Sequence, residues 1–333
     1  MKPHGAKAAR AWITATPPEL PSAMPEQPLG IFTRRRRGES PPPASTQPPR
    51  RDRGLALELL RWTIGGGVVA TVALGVCLLL GKLDADGIDW TELCLLAIYG
   101  LLVLWLAANF WVAVAGLLVR IGRGLRPRRS APAEATASPG RPPRTAVLMP
   151  LYNENAGEAC ARIAAMYRSL EEAGGLEGVH FFLLSDSSDP RCWLEEERYW
   201  LATRRRLGAR GRLFYRRREE NSGRKPGNIA DFCRRWGASY DYLVVLDADS
   251  LLAGPSLMEL IRRMEADPRL GLLQTWPRPL RGATLLARCQ QFAASIGGPL
   301  VVGGMAALAG RVGNYWGHNA IIRSRAFIES CGL

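Results

Sequence analysis

Two carboxylates, Asp247 and Asp249, close the apolar run Tyr242-Leu243-Val244-Val245-Leu246. A run this rich in Val and Leu has the length of a buried strand. Side chains two apart on a strand point the same way, so the pair can face one ligand. Two hard oxygen ligands suit Mg²⁺ or Mn²⁺, which complete their shell with water and phosphate oxygens. The same residues also suit a plain strand end with solvated acids, since Asp is common in loops.

Three more polar clusters follow candidate strands. Pro150-Leu151-Tyr152-Asn153-Glu154 closes Thr145–Leu151, Ser185-Asp186 closes Val179–Leu184, and Arg224-Lys225-Pro226-Gly227-Asn228 follows a short edge strand at Arg212–Tyr215. Ligands of open α/β sheets gather at the carboxyl ends of the strands, so these clusters should converge on one crevice. Lys225 suits a phosphate as a point charge. Gly227 permits close backbone approach, and a helix starting after it favours an anion. Asp186 can accept hydrogen bonds from a base or a ribose. Each cluster alone is ordinary turn chemistry; the four in this order point to a nucleotide-diphosphate site.

The elements that must hold these residues alternate. Helical spacing covers Gly157–Glu172, Trp193–Leu207, Asn228–Trp236 and Ser256–Ala266, the last capped by Ser256, and a further strand covers Leu270–Gln274. Strands alternating with helices predict an α/β domain with a mostly parallel sheet. Thr284–Ile296 has the pattern of an amphipathic helix. Upstream, Trp62–Leu83 and Leu93–Val119 are apolar runs, each of the roughly 20 residues that cross a bilayer as a helix. Arginines flank the pair on both outer sides, and Asp84, Asp86, Asp89 and Glu92 lie between the runs. The positive-inside rule then puts both ends of this hairpin in the cytoplasm. The expected organisation is a basic, Pro-rich, disordered tail over 1–53, a two-helix transmembrane hairpin over 54–123, a linker over 124–143 and a catalytic domain over 144–333.

The formal net charge of +14 admits nucleic acid, membrane surface or phosphorylated ligands as partners. A nucleic-acid reading would rest on the tail and on Arg216-Arg217-Arg218; the hairpin and the lack of aromatic stacking motifs argue against it. The seven cysteines form no CxxC pair, and with three histidines no zinc pattern can be completed.

The four clusters resemble the donor-site motifs of inverting family 2 glycosyltransferases, the group that includes the cellulose and hyaluronan synthases. Leu184 to Pro190, Phe214 to Arg218, Gly227 to Trp236 and Tyr315 to Arg323 resemble in particular its membrane branch that makes osmoregulated periplasmic glucans. The resemblance implies a glycosyltransferase-A, Rossmann-like domain that transfers glucose from UDP-glucose to a growing β-glucan. It implies that Tyr152 and Glu154 line the nucleotide pocket, that Asp186 meets the uracil, and that Lys225 and Asn228 sit by the diphosphate. Asp247 would help hold the UDP, and Asp247 and Asp249 would hold the Mg²⁺ (or Mn²⁺). His318 and Asn319 would lie toward the acceptor. Implied partners are the glucan acceptor, membrane lipid, an acyl carrier protein and periplasmic glucan proteins, with no nucleic acid. The implied location is the bacterial inner membrane, with the transferase domain in the cytoplasm.

The family's later carboxylate motif and Gln-x-x-Arg-Trp motif have no counterpart before Leu333. The chain therefore reads as an N-terminal portion, inactive alone, with its catalytic base expected beyond Leu333. The competing reading is a non-catalytic, membrane-anchored UDP-sugar sensor or an inactive remnant.

Overall fold

The computed structural model describes residues 54–83, 89–125, 142–310 and 312–331. The tail over 1–53, most of the acidic turn and most of the linker over 124–143 lie outside the described residues. Two compact units emerge, one built from residues 136–275 and 315–333, the other from the N-terminal helices together with 276–314.

The first unit is a six-stranded sheet in the order β3-β2-β1-β4-β6-β5. The strands are β1 (Thr145–Leu151), β2 (Val179–Ser185), β3 (Leu213–Arg217), β4 (Tyr242–Val245), β5 (Leu272–Gln274) and β6 (Ala320–Arg323). β1 pairs in parallel with β2 and β4, and β2 with β3. β6 runs antiparallel to both β4 and β5, so every other strand shares one direction. The continuous apolar runs are explained by burial on both faces. Val147, Met149 and Leu151 of β1 meet Ile163, Tyr167 and Leu170 on one face, while Ala146 and Leu148 belong with Ile229, Phe232 and Trp236 on the other. The period of two along a strand sorts one sequence run into two cores.

The helices number from the chain start: α1 (Leu55–Leu80), α2 (Trp90–Leu125), α3 (Ala156–Glu172), α4 (Pro190–Arg206), α5 (Arg224–Trp236), α6 (Gly254–Ala266), α7 (Leu285–Ala309) and α8 (Ser324–Ser330). Caps place two of them against strand ends. Asn155 accepts from the Glu158 N–H at the start of α3, and Asp189 accepts from the Arg191 N–H ahead of Pro190 in α4. Ser256 is not the cap of α6. That helix starts at Gly254, whose N–H donates to Ser169 Oγ at 2.9 Å, so a tertiary contact replaces the local one.

In the second unit, α1, α2 and α7 are long and apolar enough to cross a membrane. α7 extends well past the amphipathic stretch Thr284–Ile296, through Gly297-Gly298-Pro299 and Gly303-Gly304. These residues weaken a helix in water, and here they allow backbones to touch. A Cβ on Gly116 would stand 1.8 Å from the Leu300 carbonyl oxygen, and one on Gly304 would stand 1.9 Å from that of Val112. Arg61 donates twice to the Leu308 carbonyl, at 3.0 and 2.8 Å, supplying a partner near the open end of α7. Between α1 and α2, Trp111 Nε1 donates to Thr71 Oγ1 at 3.0 Å.

Length and composition alone would let α7 span, but its connections argue otherwise. Gln274 and Ala320, on either side of the 275–319 excursion, are paired residues of neighbouring strands. Both ends of the excursion return to the same pair of strands. Single cysteines at Ala283 and Gly313, in a thiol-free background, are expected to react with an impermeant reagent from the same face of sealed vesicles. Labelling from opposite faces would show that α7 crosses.

Candidate active site

A cavity of about 760 Å³ opens at the carboxyl ends of the parallel strands. Tyr152, Glu154, Asp186, Lys225, Asn228, Asp247 and Asp249 all line it. His318 and Asn319 are not among its lining residues. His318 Nδ1 nonetheless stands 4.0 Å from Asp247 Oδ2, and Asn319 Nδ2 lies 3.1 Å from the same ring nitrogen.

Each wall is set by the residue just past a strand. After β1, Asn153 takes a left-handed conformation (φ 54°) between Tyr152 and Glu154. Its Oδ1 accepts from the Ser188 and Asp189 N–H groups at 3.1 and 3.2 Å, which ties this loop to the one after β2. Burial, and then the charges of Asp249 and Asp247, push the Glu154 carboxyl up. After β2, Asp186 is buried and takes a two-point contact from Arg218, with both bonds at 2.7 Å. Arg218 also donates to the Ser222 and Arg224 carbonyls, so one guanidinium joins three segments of the wall.

Two local expectations change. β4 ends at Val245, and Asp249 lies in the following turn, where Ser250 N–H donates to the Asp247 carbonyl at 3.0 Å. Asp247 and Asp249 both reach the cavity through this turn and not through strand alternation. α5 starts at Arg224, so Lys225 and Asn228 lie inside its first turns, and the helix does not begin after Gly227. Gly227 is indeed a close-approach glycine, but its neighbour is its own chain: a Cβ there would stand 2.0 Å from the Ser222 carbonyl oxygen. Asn228 is fully buried; its Nδ2 donates to the Leu184 carbonyl at 2.9 Å and its Oδ1 accepts from Arg216 at 2.8 Å. Its amide thus holds the wall together. Lys225 Nζ is ion-paired with Asp247 Oδ1.

Arg162 enters although motif reading did not single it out, and Tyr315 and the arginines 216–218 take roles that the motif strings did not assign. Arg162 on α3 donates to the Ala248 carbonyl at 3.1 Å and steadies the Asp247–Asp249 turn. Burial and the charge of Asp247 push the Tyr315 phenol up. The three arginines 216–218 do three separate jobs. Arg216 pairs with Asp231 at 3.3 Å, Arg217 stacks over the Trp193 ring at 4.5 Å, and Arg218 holds Asp186. A basic triplet engaged in this way is not a nucleic-acid patch. Its signal in the sequence was position: alternate residues of β3 face opposite sides, and Arg218 lies level with Asp186 at the strand end.

Carboxylates and a lysine gathered at the carboxyl ends of parallel strands, beside a helix N-terminus, form the kind of crevice in which α/β proteins hold nucleotides. Residues 146–330 match glycosyl transferase family 2, and the chain belongs to that family. Among its curated relatives, the glucans biosynthesis glucosyltransferase H of Xanthomonas euvesicatoria is 41% identical over 324 residues, covering 95% of this chain and 47% of that protein. The protein of the same name in Xylella fastidiosa is 40% identical over 317 residues, covering 95% of this chain and 48% of its own. That of Shewanella oneidensis is 39% identical over 273 residues, covering 82% of this chain and 37% of its own. The chain spans about half the length of the first two.

Arg218 and Asp186 have side chains only 11% and 4% exposed, so removing one leaves a buried charge. Arg218→Leu is expected to destabilise the transferase domain by about 3–5 kcal/mol in denaturant unfolding. Arg218→Leu combined with Asp186→Leu should recover part of that loss. A single variant as stable as the parent would show that the pair is not structurally coupled.

Proposed function

We propose that this chain is the donor-binding part of a membrane glucosyltransferase that moves glucose from UDP-glucose to a growing β-glucan with inversion at the sugar carbon. The observation that carries the reading is the single cavity lined by Tyr152, Asp186, Lys225, Asp247 and Asp249 at the strand ends of a family 2 domain. The names of the relatives support glucose as the transferred sugar and glucan as the product. In this reading the nucleotide end is the wall formed by Tyr152, Glu154 and Asp186. The diphosphate end is where Lys225 meets Asp247, and the acceptor approaches from the side of His318 and Asn319.

The residues present fit a divalent cation. Among the described residues, no group of three His, Cys, Asp or Glu side chains makes a closed metal site. Mg²⁺ does not need one, because one or two carboxylates suffice when water and substrate phosphates supply the rest. The mutual charge of Glu154, Asp249 and Asp247, seen in the raised Glu154 carboxyl, is the excess a cation would relieve. Asp247 and Asp249 would hold the ion, which would supply charge neutralisation for the departing UDP.

The chain's own part follows from its contacts. Lys225 is paired with Asp247 when no ligand is present, so the lysine is already held at the carboxylate where the phosphates would arrive. A diphosphate would compete for this ammonium and find it already oriented, and a preorganised charge costs no reorganisation when the leaving group departs. We further place the hairpin in the bacterial inner membrane with the transferase unit on the cytoplasmic side, where the nucleotide sugar is made. Membrane lipid, the glucan acceptor, an acyl carrier protein and periplasmic glucan proteins are the partners this reading implies.

UDP binding by the full chain in detergent, titrated with Mg²⁺, tests the site. Asp249→Asn keeps the size and loses the charge, and is expected to weaken Mg²⁺-dependent UDP binding by about tenfold or more. A variant with parental affinity and parental Mg²⁺ dependence would remove Asp249 from the site.

A further inference from the structure

Behind the nucleotide end of the cavity lies a buried carboxylate that no part of the reaction uses. Glu196, on α4, is 1% exposed. It accepts from two hydroxyls: Ser187 Oγ at 2.6 Å on one oxygen and Tyr215 Oη at 2.9 Å on the other. Burial and the nearby Glu196 charge push the Tyr215 phenol up, so that hydroxyl keeps its proton to donate. Ser187 passes the constraint on. With its proton committed to Glu196, its oxygen is free to accept, and it takes the Asn153 N–H at 2.8 Å. Asn153 in turn accepts from two N–H groups of the loop after β2.

The consequence falls on Asn153. It holds a left-handed backbone at φ 54°, which costs a residue with a Cβ unless the surroundings fix it. That turn separates Tyr152 from Glu154 and aims both at the cavity. A hydroxyl with no carboxylate behind it could rotate and offer its proton toward Asn153, and an N–H facing a proton donor is repelled. The carboxylate on α4 therefore decides the direction of a hydrogen bond one residue away from the ligand-facing side chains. We propose that Glu196 is a positioning residue for the nucleotide, acting through Ser187 and the left-handed turn at Asn153 to preorganise the Tyr152–Glu154 wall. The inference rests on the donor-site reading above and adds to it a residue outside the cavity lining.

The test uses the full 333-residue chain in detergent, with UDP and Mg²⁺ as the probe. Glu196→Gln keeps the shape and replaces one acceptor with a donor; Ser187→Ala keeps Glu196 bonded to Tyr215 and removes both bonds of the Ser187 hydroxyl, to Glu196 and to the Asn153 N–H. Each is expected to bind UDP about tenfold more weakly, the size of effect that follows from losing one partner of a buried hydrogen bond. The double variant should bind no more weakly than the worse single one, because both cut the same chain of contacts. Hydrogen exchange at the Asn153 amide should accelerate in both variants at a temperature where both remain folded. If the Asn153 amide is released and UDP affinity is unchanged, or if the two losses add in full, Glu196 is structural only and the inference fails. If the parent binds no UDP at any Mg²⁺ concentration, the donor-site reading fails first and takes this inference with it.

Discussion

Parallel register is the constraint on which the site depends. Leu151 of β1 pairs with Ser185 of β2, and Ser185 with Arg217 of β3. One residue further on, Asp186 N–H donates to the Leu151 carbonyl and Arg218 N–H to the Ser185 carbonyl, at 2.9 and 3.0 Å. On the other side, Leu246 N–H donates to the Leu148 carbonyl at 2.9 Å and delivers Asp247 to the same edge. Each strand thus ends hooked to its neighbour, and the first polar residue past each hook belongs to the cavity or to its wall. A slip of one residue in any pair would turn that residue to the opposite face.

Charge balance is the second constraint. Five carboxylates, from Glu154, Glu158, Asp186, Asp247 and Asp249, line one cavity with Arg162, Arg224 and Lys225. Asp186 is the most deeply buried of the five and has the strongest partner, the two-point contact from Arg218. Asp247 has a lysine on one oxygen and His318 near the other. Asp249 is exposed, and the Glu154 carboxyl is raised by burial first and then by the charges of Asp249 and Asp247. The negative excess is concentrated toward the Asp249 end, and the neutralised part toward Asp186.

The helical unit has a different kind of surface. Its faces expose large apolar side chains such as Trp62, Leu101, Trp105 and Phe292, which a water-soluble domain would bury. What holds its helices together is close backbone contact at Gly116 and Gly304, where the absence of a side chain is the recognition feature. The same glycines, with Pro299, make the stretch Gly297–Ala309 look unsuited to a helix in water.

The sequence by itself determined much of this protein. The continuous apolar runs, the helices between them and the polar residues after each strand specify a mostly parallel α/β sheet and the residues gathered at its edge, because these patterns are local. The apolar length of α1 and α2 is likewise local and needed no partner to be seen. What only the tertiary structure decided depends on contacts between residues far apart in the chain. Asp186 and Arg218 are 32 positions apart, and nothing nearby in sequence says that the acid is held by that arginine and not by Arg216 or Arg217. α5 starts at Arg224 and not after Gly227, because the bare Cα of Gly227 lets the first turn pack on Ser222, a contact that local spacing does not show. Ser256 offered a local cap, and Ser169 from α3 replaced it. The full extent of α7 was hidden for the same reason: a helix rich in glycine is stable only against the particular backbone that fills the space its side chains leave.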